Sequence, residues 1–194
     1  MLKLAEVIVS TRPGRAGVSV GKWFNEFAQK DGRFEMDWID LAEVNLPFMD
    51  EPRHPLLKQY EHQHTKDWSQ RIDPADAFVF ITPEYNYAMP PTLLNALDFL
   101  SKEWNYKPVG FVSYGGVSAG TRSAQMTKLV VTSLRMMSLP DTVSVPFFQQ
   151  FIKDGVFTPN AKLEKGANNM LNELYKWASA LKPLHATSTK SAAA

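Results

Sequence analysis

The first residues that could do chemistry lie in a loop of hydroxyl, arginine and glycine residues at positions 10–19. An apolar run of strand length precedes the loop and a helical pattern follows it. Its backbone N–H groups and the positive end of that helix would therefore face one concavity. The hydroxyls of Ser10 and Ser19 and the guanidinium of Arg12 are available there to a phosphate. We expect a phosphomonoester pocket; the alternative is a capped turn with exposed arginines.

Two well-known phosphate motifs are incomplete in the same region. Residues 17–22 are one residue short of a P-loop and lack the Ser or Thr that should follow Lys22. No GxGxxG follows the first strand pattern. The sequence therefore argues against nucleoside triphosphate hydrolysis and against a Rossmann dinucleotide site.

A second loop, residues 82–91, follows the most apolar strand pattern and combines tyrosines, an asparagine and prolines. Prolines lower the entropy cost of ordering a loop, and aromatic side chains suit a flat heteroaromatic ring. Backbone groups of Asn86 and Tyr87 could then contact the edge of that ring. The alternative is that Tyr85 and Tyr87 only pack the loop against its neighbours.

A third loop, residues 113–120, contains consecutive glycines that suit the same ring. Because Gly115 and Gly116 lack a Cβ atom, their backbone N–H groups could approach a ligand closely. Such preorganised donors would stabilise negative charge on a bound ligand.

The third loop also has a rival interpretation, because residues 116–120 form a literal GxSxG. Asp154 and His185 follow Ser118 in the order that many serine hydrolases use. Two observations argue against a hydrolase. The two glycines make the turn more flexible than the tight turn that holds a nucleophile, and His185 lies beside the C-terminal tail. A chain of 194 residues is also short for that fold.

The elements that must position these loops are strands alternating with helices. The strand patterns cover residues 4–9, 34–38, 76–81, 109–113 and 142–145. The helical patterns cover residues 18–29, 56–72, 93–100, 119–137 and 160–181. This alternation predicts an α/β doubly wound, three-layer sandwich with a five-stranded parallel sheet in the flavodoxin-like order 2-1-3-4-5. The three loops then meet at the carboxyl ends of the strands, where such folds bind ligands.

Two details of these elements are expected from the pattern of apolar residues. Residues 34–38 alternate and should form an edge strand, whereas residues 76–81 should be the middle of the sheet. The buried face of the helix at 119–137 should carry a set of apolar residues. They are Met126, Leu129, Val130, Leu134 and Met137.

Length and composition indicate one domain over residues 1–185, followed by a disordered tail at 186–194. Lys and Arg number 21 against 20 Asp and Glu, so nothing favours a nucleic-acid partner. The sequence contains no Cys, so redox activity would need a bound cofactor. No signal segment or membrane-length apolar run is evident, which favours the cytoplasm. The spacing of His62 and His64 turns them to different helix faces, which argues against a metal site.

Together, the motifs in 10–19, 83–98 and 113–122 resemble those of the NADPH-dependent FMN reductase family, over about residues 2–150. The resemblance implies that FMN is the cofactor and that NADPH or NADH is the co-substrate. It places the FMN phosphate at Ser10, Arg12, Ser19 and Val20. It places the isoalloxazine against Pro83, Glu84, Tyr85, Asn86 and Tyr87, with the pyrimidine side near Ser113, Gly115 and Gly116.

The implied activity is hydride transfer from NAD(P)H through flavin N5 to a small-molecule acceptor such as a quinone or free flavin, with no catalytic side chain. Arg15 would be a candidate for the 2′-phosphate of NADPH. The family also implies a homodimer or homotetramer. A flavodoxin-type electron carrier without a nicotinamide site is an alternative, although such carriers are usually acidic and this chain has a net charge of +1. The serine hydrolase is the other alternative.

Overall fold

The structure, a computed structural model, describes residues 1–190 and is built on a five-stranded sheet of parallel strands. The strand order is β2-β1-β3-β4-β5, as predicted. The strands are β1 (Leu2–Ile8), β2 (Phe34–Asp40), β3 (Ala77–Pro83), β4 (Pro108–Tyr114) and β5 (Met137–Val145). Because the order reverses between β1 and β3, the loops that follow these strands diverge and leave a crevice at their carboxyl ends.

Helices cover both faces of the sheet and separate the core into two apolar clusters. One cluster lies under α1 and α6, and the other lies under α3, α4 and α5. The helices are α1 (Gly17–Asp31), α2 (Leu41–Val44), α3 (Gln63–Ile72), α4 (Pro91–Asp98), α5 (Thr121–Ser133) and α6 (Ala161–Lys190). This is the three-layer arrangement that the alternating pattern predicted.

Burial explains which strand patterns were easy to recognise. Every residue of β3 and β4 is buried, since helices cover both of their faces. The edge strand β2 is buried only at Phe34, Ile39 and Asp40, and its four middle residues are more exposed. The predictions of a central strand near residues 76–81 and an edge strand near 34–38 are confirmed.

The prediction for α5 was wrong in its length and in part of its buried face. The helix ends at Ser133, because Leu134 leaves the helix and Arg135 adopts a positive φ of 58° before β5 begins at Met137. Of the residues expected on the buried face, Val130 and Leu134 are partly buried against the core, but Leu129 is 76% exposed, Met126 is 40% exposed and Met137 belongs to β5. The face that packs on the sheet carries smaller side chains instead, namely Ser123, Ala124, Thr127 and Val131. Small residues let the helix approach the sheet closely, a reason that apolar spacing does not reveal.

Two other helices differ from their predicted bounds. The helix expected at 56–72 starts only at Gln63, after a short 3-10 turn at Pro55–Leu57 that ends in Lys58 with a φ of 54°. Helix α6 was expected to end before Pro183 but continues to Lys190 with Pro183 inside it. The disordered tail expected at 186–194 stays a prediction, and residues 191–194 lie outside the described residues.

A small hairpin that the sequence pattern did not predict packs beside the first loop. Its strands are β6 (Ile152–Lys153) and β7 (Val156–Phe157). The ring of Phe157 lies 5.1 Å from that of Trp23 on α1, and the Ser19 hydroxyl donates to the carbonyl of Gly155 at 2.7 Å. The hairpin therefore supports the start of α1 from the side.

Candidate functional site

The three predicted loops converge on one cleft at the carboxyl edge of the sheet, with a cavity of about 230 Å³. The first loop contributes Arg12, Arg15 and Ala16 to its lining. The second contributes 83–85 and the third 114–116, and residues 148–149 close one side. The loops that the sequence singled out therefore form a single site.

The start of α1 provides open backbone donors beside this cleft. The N-cap residue, Ala16, gives the helix no side-chain cap. The Ser19 N–H donates to the Ala16 carbonyl at 3.0 Å, but those of Gly17 and Val18 have no partner among the described residues and remain available to a ligand. A Cβ atom on Gly17 would lie 2.4 Å from the hydroxyl oxygen of Ser10 and 2.7 Å from that of Tyr114. Only glycine therefore lets the helix begin this close to the floor of the cleft, where the Tyr114 hydroxyl donates to Ser10 at 3.1 Å. Such a helix start is a common anion-binding arrangement.

Two arginines add positive charge to the same wall. Arg12 is exposed, and Arg15 is partly buried and forms an ion pair with Asp40 at the end of β2. The Nε atom of Arg15 is buried and has no hydrogen-bond partner among the described residues. An unpaired buried donor costs free energy, so this wall is suited to an acceptor-rich ligand such as a phosphate.

The second loop forms a tight turn that α5 holds in place. Tyr85 and Ala88 exchange two backbone hydrogen bonds, at 3.1 and 2.9 Å, across Asn86 and Tyr87, which both have positive φ. Glu84 pairs with Arg122 at the start of α5, and the Arg122 guanidinium stacks 4.2 Å from the centre of the Tyr87 ring. The loop therefore has a fixed shape, and its tip points to solvent, with Tyr87 74% exposed.

The glycine pair of the third loop offers fewer free donors than its sequence suggests. The Gly115 N–H donates to the carbonyl of Val145 at 3.2 Å, which extends the β4–β5 pairing. The carbonyls of Gly115 and Gly116 accept from Phe148 and Phe147. The Gly116 N–H has no partner in the described part of the chain, and Gly116 is exposed. This loop thus presents one open backbone donor to the cleft.

The twelve residues proposed from the sequence divide into two groups. Those that line the cavity are Arg12, Pro83, Glu84, Tyr85, Gly115 and Gly116. Those that do not line it are Ser10, Ser19, Val20, Asn86, Tyr87 and Ser113. Val20 and Ser113 are fully buried, and the Ser19 hydroxyl is occupied by the hairpin.

Sequence reasoning missed some cavity residues. Tyr114 follows the noted Ser113, and the alternation of a strand could have placed it on the opposite face. Phe148 and Gln149 lie beyond β5 in a short 3-10 helix at Phe148–Phe151, which no periodic pattern of the sequence indicated. The ring of Phe148 lies edge-on to that of Tyr114 at 5.3 Å, which fixes this side of the cleft.

The serine hydrolase interpretation fails on geometry. Ser118 lies at the carboxyl edge of the sheet with the cleft, whereas His185 contacts the backbone carbonyl of Asn105 at 3.0 Å, near the start of β4. The two side chains are on opposite edges, so His185 cannot act as the base that activates the Ser118 hydroxyl.

His62 and His64 were expected on different faces of a helix, and this was wrong. His62 is the N-cap of α3, outside the helix, and the two rings stack at 5.2 Å. Both rings contact Asp50. The His62 ring contacts the backbone carbonyl of Asp50, and the His64 ring contacts the Asp50 carboxylate. Within residues 1–190, no group of three or more His, Asp or Glu side chains is placed to hold a metal ion.

A larger cavity, of about 390 Å³, lies between β2, α2 and α3. None of the three loops contributes to it, and its polar groups, such as His64, Asp67 and Arg71, already have partners in the protein. Size alone does not make it the functional site.

The fold and the cleft define a flavodoxin-like protein with a cleft suited to an anion at the switch point of its sheet. Residues 2–150 match the family described as NADPH-dependent FMN reductase. The chain therefore belongs to that family, and the resemblance drawn from its motifs is confirmed.

Individual relatives agree with this assignment. An NAD(P)H-dependent FMN reductase of Schizosaccharomyces pombe is 35% identical over 165 residues, which cover 84% of this chain and 82% of the relative. An NAD(P)H:quinone oxidoreductase of Solanum tuberosum is 35% identical over 137 residues, 64% of this chain and 66% of that one. The flavoenzyme FerB, an NAD(P)H:(acceptor) oxidoreductase of Paracoccus denitrificans, has a similar fold, with a TM-score of 0.73 at 21% identity over 93% of this chain and 99% of FerB.

The residues present fit the cofactor that the family name implies. A phosphate would meet the open start of α1 and the two arginines. Gly116 would leave room for a ring, because no described residue beyond its own chain neighbours has an atom within 4 Å of where its Cβ would be. Among the described residues, no helix is long and apolar enough to cross a membrane.

Proposed function

We propose that this protein is an FMN-dependent oxidoreductase that takes hydride from NADPH or NADH and passes two electrons to a quinone, free flavin or a similar small acceptor. The observation that carries the proposal is the cleft itself. It joins an uncapped helix start and two arginines to a rigid aromatic loop and an open glycine. That combination suits one ligand with a phosphate at one end and a flat ring at the other.

Each wall of the cleft has a separate task in this proposal. Arg12 and the N–H groups of Gly17 and Val18 would bind the phosphate, with Ser10 and Tyr114 forming the floor beneath it. The Gly116 N–H would be the donor to the ring, and Pro83, Glu84 and Tyr85 would line its place in the cavity. Bound FMN supplies the hydride acceptor, N5, and the two-electron chemistry. The protein binds, orients and leaves one face open for donor and acceptor in turn.

The direct test is the colour and reduction of the purified protein. We expect a yellow protein with FMN bound, which NADPH bleaches under anaerobic conditions and a quinone then restores. A colourless protein that FMN cannot reconstitute would exclude the flavin proposal. Colour without bleaching would favour a flavodoxin-type carrier instead.

A homodimer or homotetramer with subunit contacts near the cleft is the second part of the proposal. Arg122, Met126 and Leu129 follow one another along α5 at the spacing of one helix face. Two of them are large apolar residues in solvent, and the exposed Tyr87 ring lies against Arg122 at the same end. Light scattering on the wild-type protein and on Leu129→Glu tests this, with the oligomer expected to dissociate in the variant. A monomeric wild-type protein would overturn it.

The preferred acceptor and the choice between NADPH and NADH also belong to this proposal. Steady-state rates with quinones, azo dyes and free flavin, each with both nicotinamide donors, would decide between them. The cytoplasmic location expected from the sequence stays a prediction, which fractionation of the source cells would test.

A further inference from the structure

Asp40 lies outside the three predicted loops, yet it is tied to the cleft. It is the last residue of β2 and is 4% exposed. One carboxylate oxygen accepts from the backbone N–H of Ala42 at 2.9 Å, which caps α2. The other oxygen pairs with the Nη2 group of Arg15. The carboxylate is therefore held in place by backbone on one side and is free to fix an arginine on the other.

Arg15 connects the Asp40 carboxylate to the cleft. Its guanidinium lines the cavity, and its contact with Asp40 engages only one of its nitrogens. Its Nε atom is buried and lacks a partner among the described residues. Arginine has several N–H donors in a planar fork, so one anion can orient the group while a second binds another edge.

We propose that Asp40 is a positioning residue that holds Arg15 against the wall of the cleft, so that Arg15 binds the FMN phosphate and makes the site prefer FMN to unphosphorylated flavin. This rests on the proposed FMN site. It also assigns Arg15 to the cofactor rather than to the 2′-phosphate of NADPH, the role expected from the sequence. The structural reason is that the ion pair holds Arg15 among the groups of the first loop, beside the open start of α1.

Charge alone predicts the opposite effect of Asp40, which makes the proposal easy to overturn. A carboxylate near the cleft repels a phosphate, so its removal would tighten FMN binding if only Coulomb forces acted. If Asp40 acts by orienting Arg15, its removal lets the Arg15 side chain move freely. Ordering that side chain on FMN binding then costs conformational entropy, which weakens binding. Whether FMN affinity rises or falls when Asp40 is removed therefore distinguishes Coulomb repulsion from orientation of Arg15.

The experiment measures FMN and riboflavin affinity of the apoprotein by flavin fluorescence. Asp40→Asn keeps an oxygen that can cap α2 but loses the ion pair. We expect FMN to bind about tenfold more weakly, which matches the loss of one charge-assisted hydrogen bond, with riboflavin affinity unchanged. Asp37→Asn is the matched control, because it also breaks an aspartate–arginine pair of β2, with Arg71, away from the cavity.

A double variant tests whether Asp40 acts through Arg15. Arg15→Gln should weaken FMN binding by about tenfold or more, and adding Asp40→Asn should then change little. Arg15→Gln also provides an independent test if Asp40→Asn lowers the unfolding temperature.

Several results would overturn the proposal. They are unchanged or tighter FMN binding in Asp40→Asn, an equal loss for riboflavin, and an Arg15→Gln variant that raises only the KM for NADPH. A wild-type protein that binds neither flavin would instead refute the FMN site on which the proposal rests.

Discussion

Polar groups lack partners at one edge of the sheet and have them at the other. At the carboxyl edge, the start of α1 is uncapped, the Gly116 N–H is open and Arg15 keeps an unpaired buried donor. At the amino edge, buried charges are surrounded by partners from the protein itself. The first arrangement is suited to a ligand, and the second holds helices to the sheet.

The amino edge is built around Glu103 and Lys107. Glu103 is fully buried and accepts from the hydroxyls of Tyr60 and Ser69, with the Lys58 amine at 3.3 Å. Burial raises the pKa of Glu103, but the Ser69 hydrogen bond and the charge of Lys58 outweigh it, so the pKa lies below its ordinary value. Lys107 donates to the final carbonyls of α3, although its burial lowers its pKa to about 7.

This difference indicates where function and stability can be changed separately. Polar groups that already have partners contribute to the free energy of unfolding, and their loss leaves donors or acceptors unpaired. Polar groups left open contribute little to the free energy of unfolding but determine binding. Substitutions at the amino edge should therefore change the free energy of unfolding, and substitutions at the carboxyl edge should change ligand binding.

The largest effect is expected from Glu103→Ala at the amino edge. Removal of the carboxylate leaves two hydroxyls and an amine without their common partner, so we expect the free energy of unfolding to fall by about 3 to 5 kcal/mol. Urea unfolding measures this. FMN affinity of the folded variant should stay at the wild-type value.

Glu173→Ala is the matched control for Glu103→Ala, because it removes a glutamate whose partner, Lys176, is one helical turn away on the surface. Its cost should be within about 0.5 kcal/mol of zero. Equal losses in the two variants would show that the amino-edge network adds nothing to stability.

Glu6 lies between the two edges and predicts a pH dependence of stability. It is fully buried on β1, and burial raises its pKa to about 8, although a hydrogen bond from Asn25 opposes this. The unfolded chain loses this proton near pH 4.5. Between these values the folded protein keeps a proton that the unfolded chain releases, so the free energy of unfolding should fall as pH rises, by at most about 1.4 kcal/mol per pH unit.

Glu6→Gln should remove this slope, because the amide stays neutral at every pH. Urea unfolding at several values between about pH 5 and pH 8 should give a flatter profile for the variant than for the wild-type protein. Glu26→Gln, at an exposed position of α1, should leave the profile as it was. Parallel profiles for wild-type protein and Glu6→Gln would show that Glu6 is ionised in the folded state.

The sequence predicted the strand order and the position of the cleft because both follow from patterns of burial and turn residues. It could not predict the donors that are free, since this depends on contacts between distant segments. The sequence places the Ser19 hydroxyl at the phosphate, but this hydroxyl donates to the carbonyl of Gly155 in the hairpin. Leu129 looked like a core residue because spacing reveals a helix face but not what covers it.

At the carboxyl edge, Arg12→Ala should alter binding and leave stability unchanged. We expect FMN affinity to fall by about 1.5 to 3 kcal/mol, the value of a hydrogen bond to a charged group. The free energy of unfolding should move by less than about 0.5 kcal/mol, because Arg12 is exposed. Flavin fluorescence titration gives the first quantity and urea unfolding the second.

Arg53→Ala is the control for Arg12→Ala, since Arg53 is an arginine away from the cavity that contacts Gln59 and Glu61. FMN affinity should not change in that variant. If Arg12→Ala binds FMN as tightly as the wild-type protein, Arg12 does not contact the phosphate.

The smallest effect is expected from Ser118→Ala, although Ser118 stands in the motif that most resembles a catalytic one. The backbone carbonyl of Ser118 accepts from the Thr121 N–H at 2.9 Å and from the Thr121 hydroxyl at 2.8 Å, and these contacts survive the substitution. NAD(P)H oxidation and FMN affinity should therefore equal those of the wild-type protein. Because His185 lies at the other edge of the sheet, a loss of esterase activity in this variant would show that Ser118 is activated by a base other than His185.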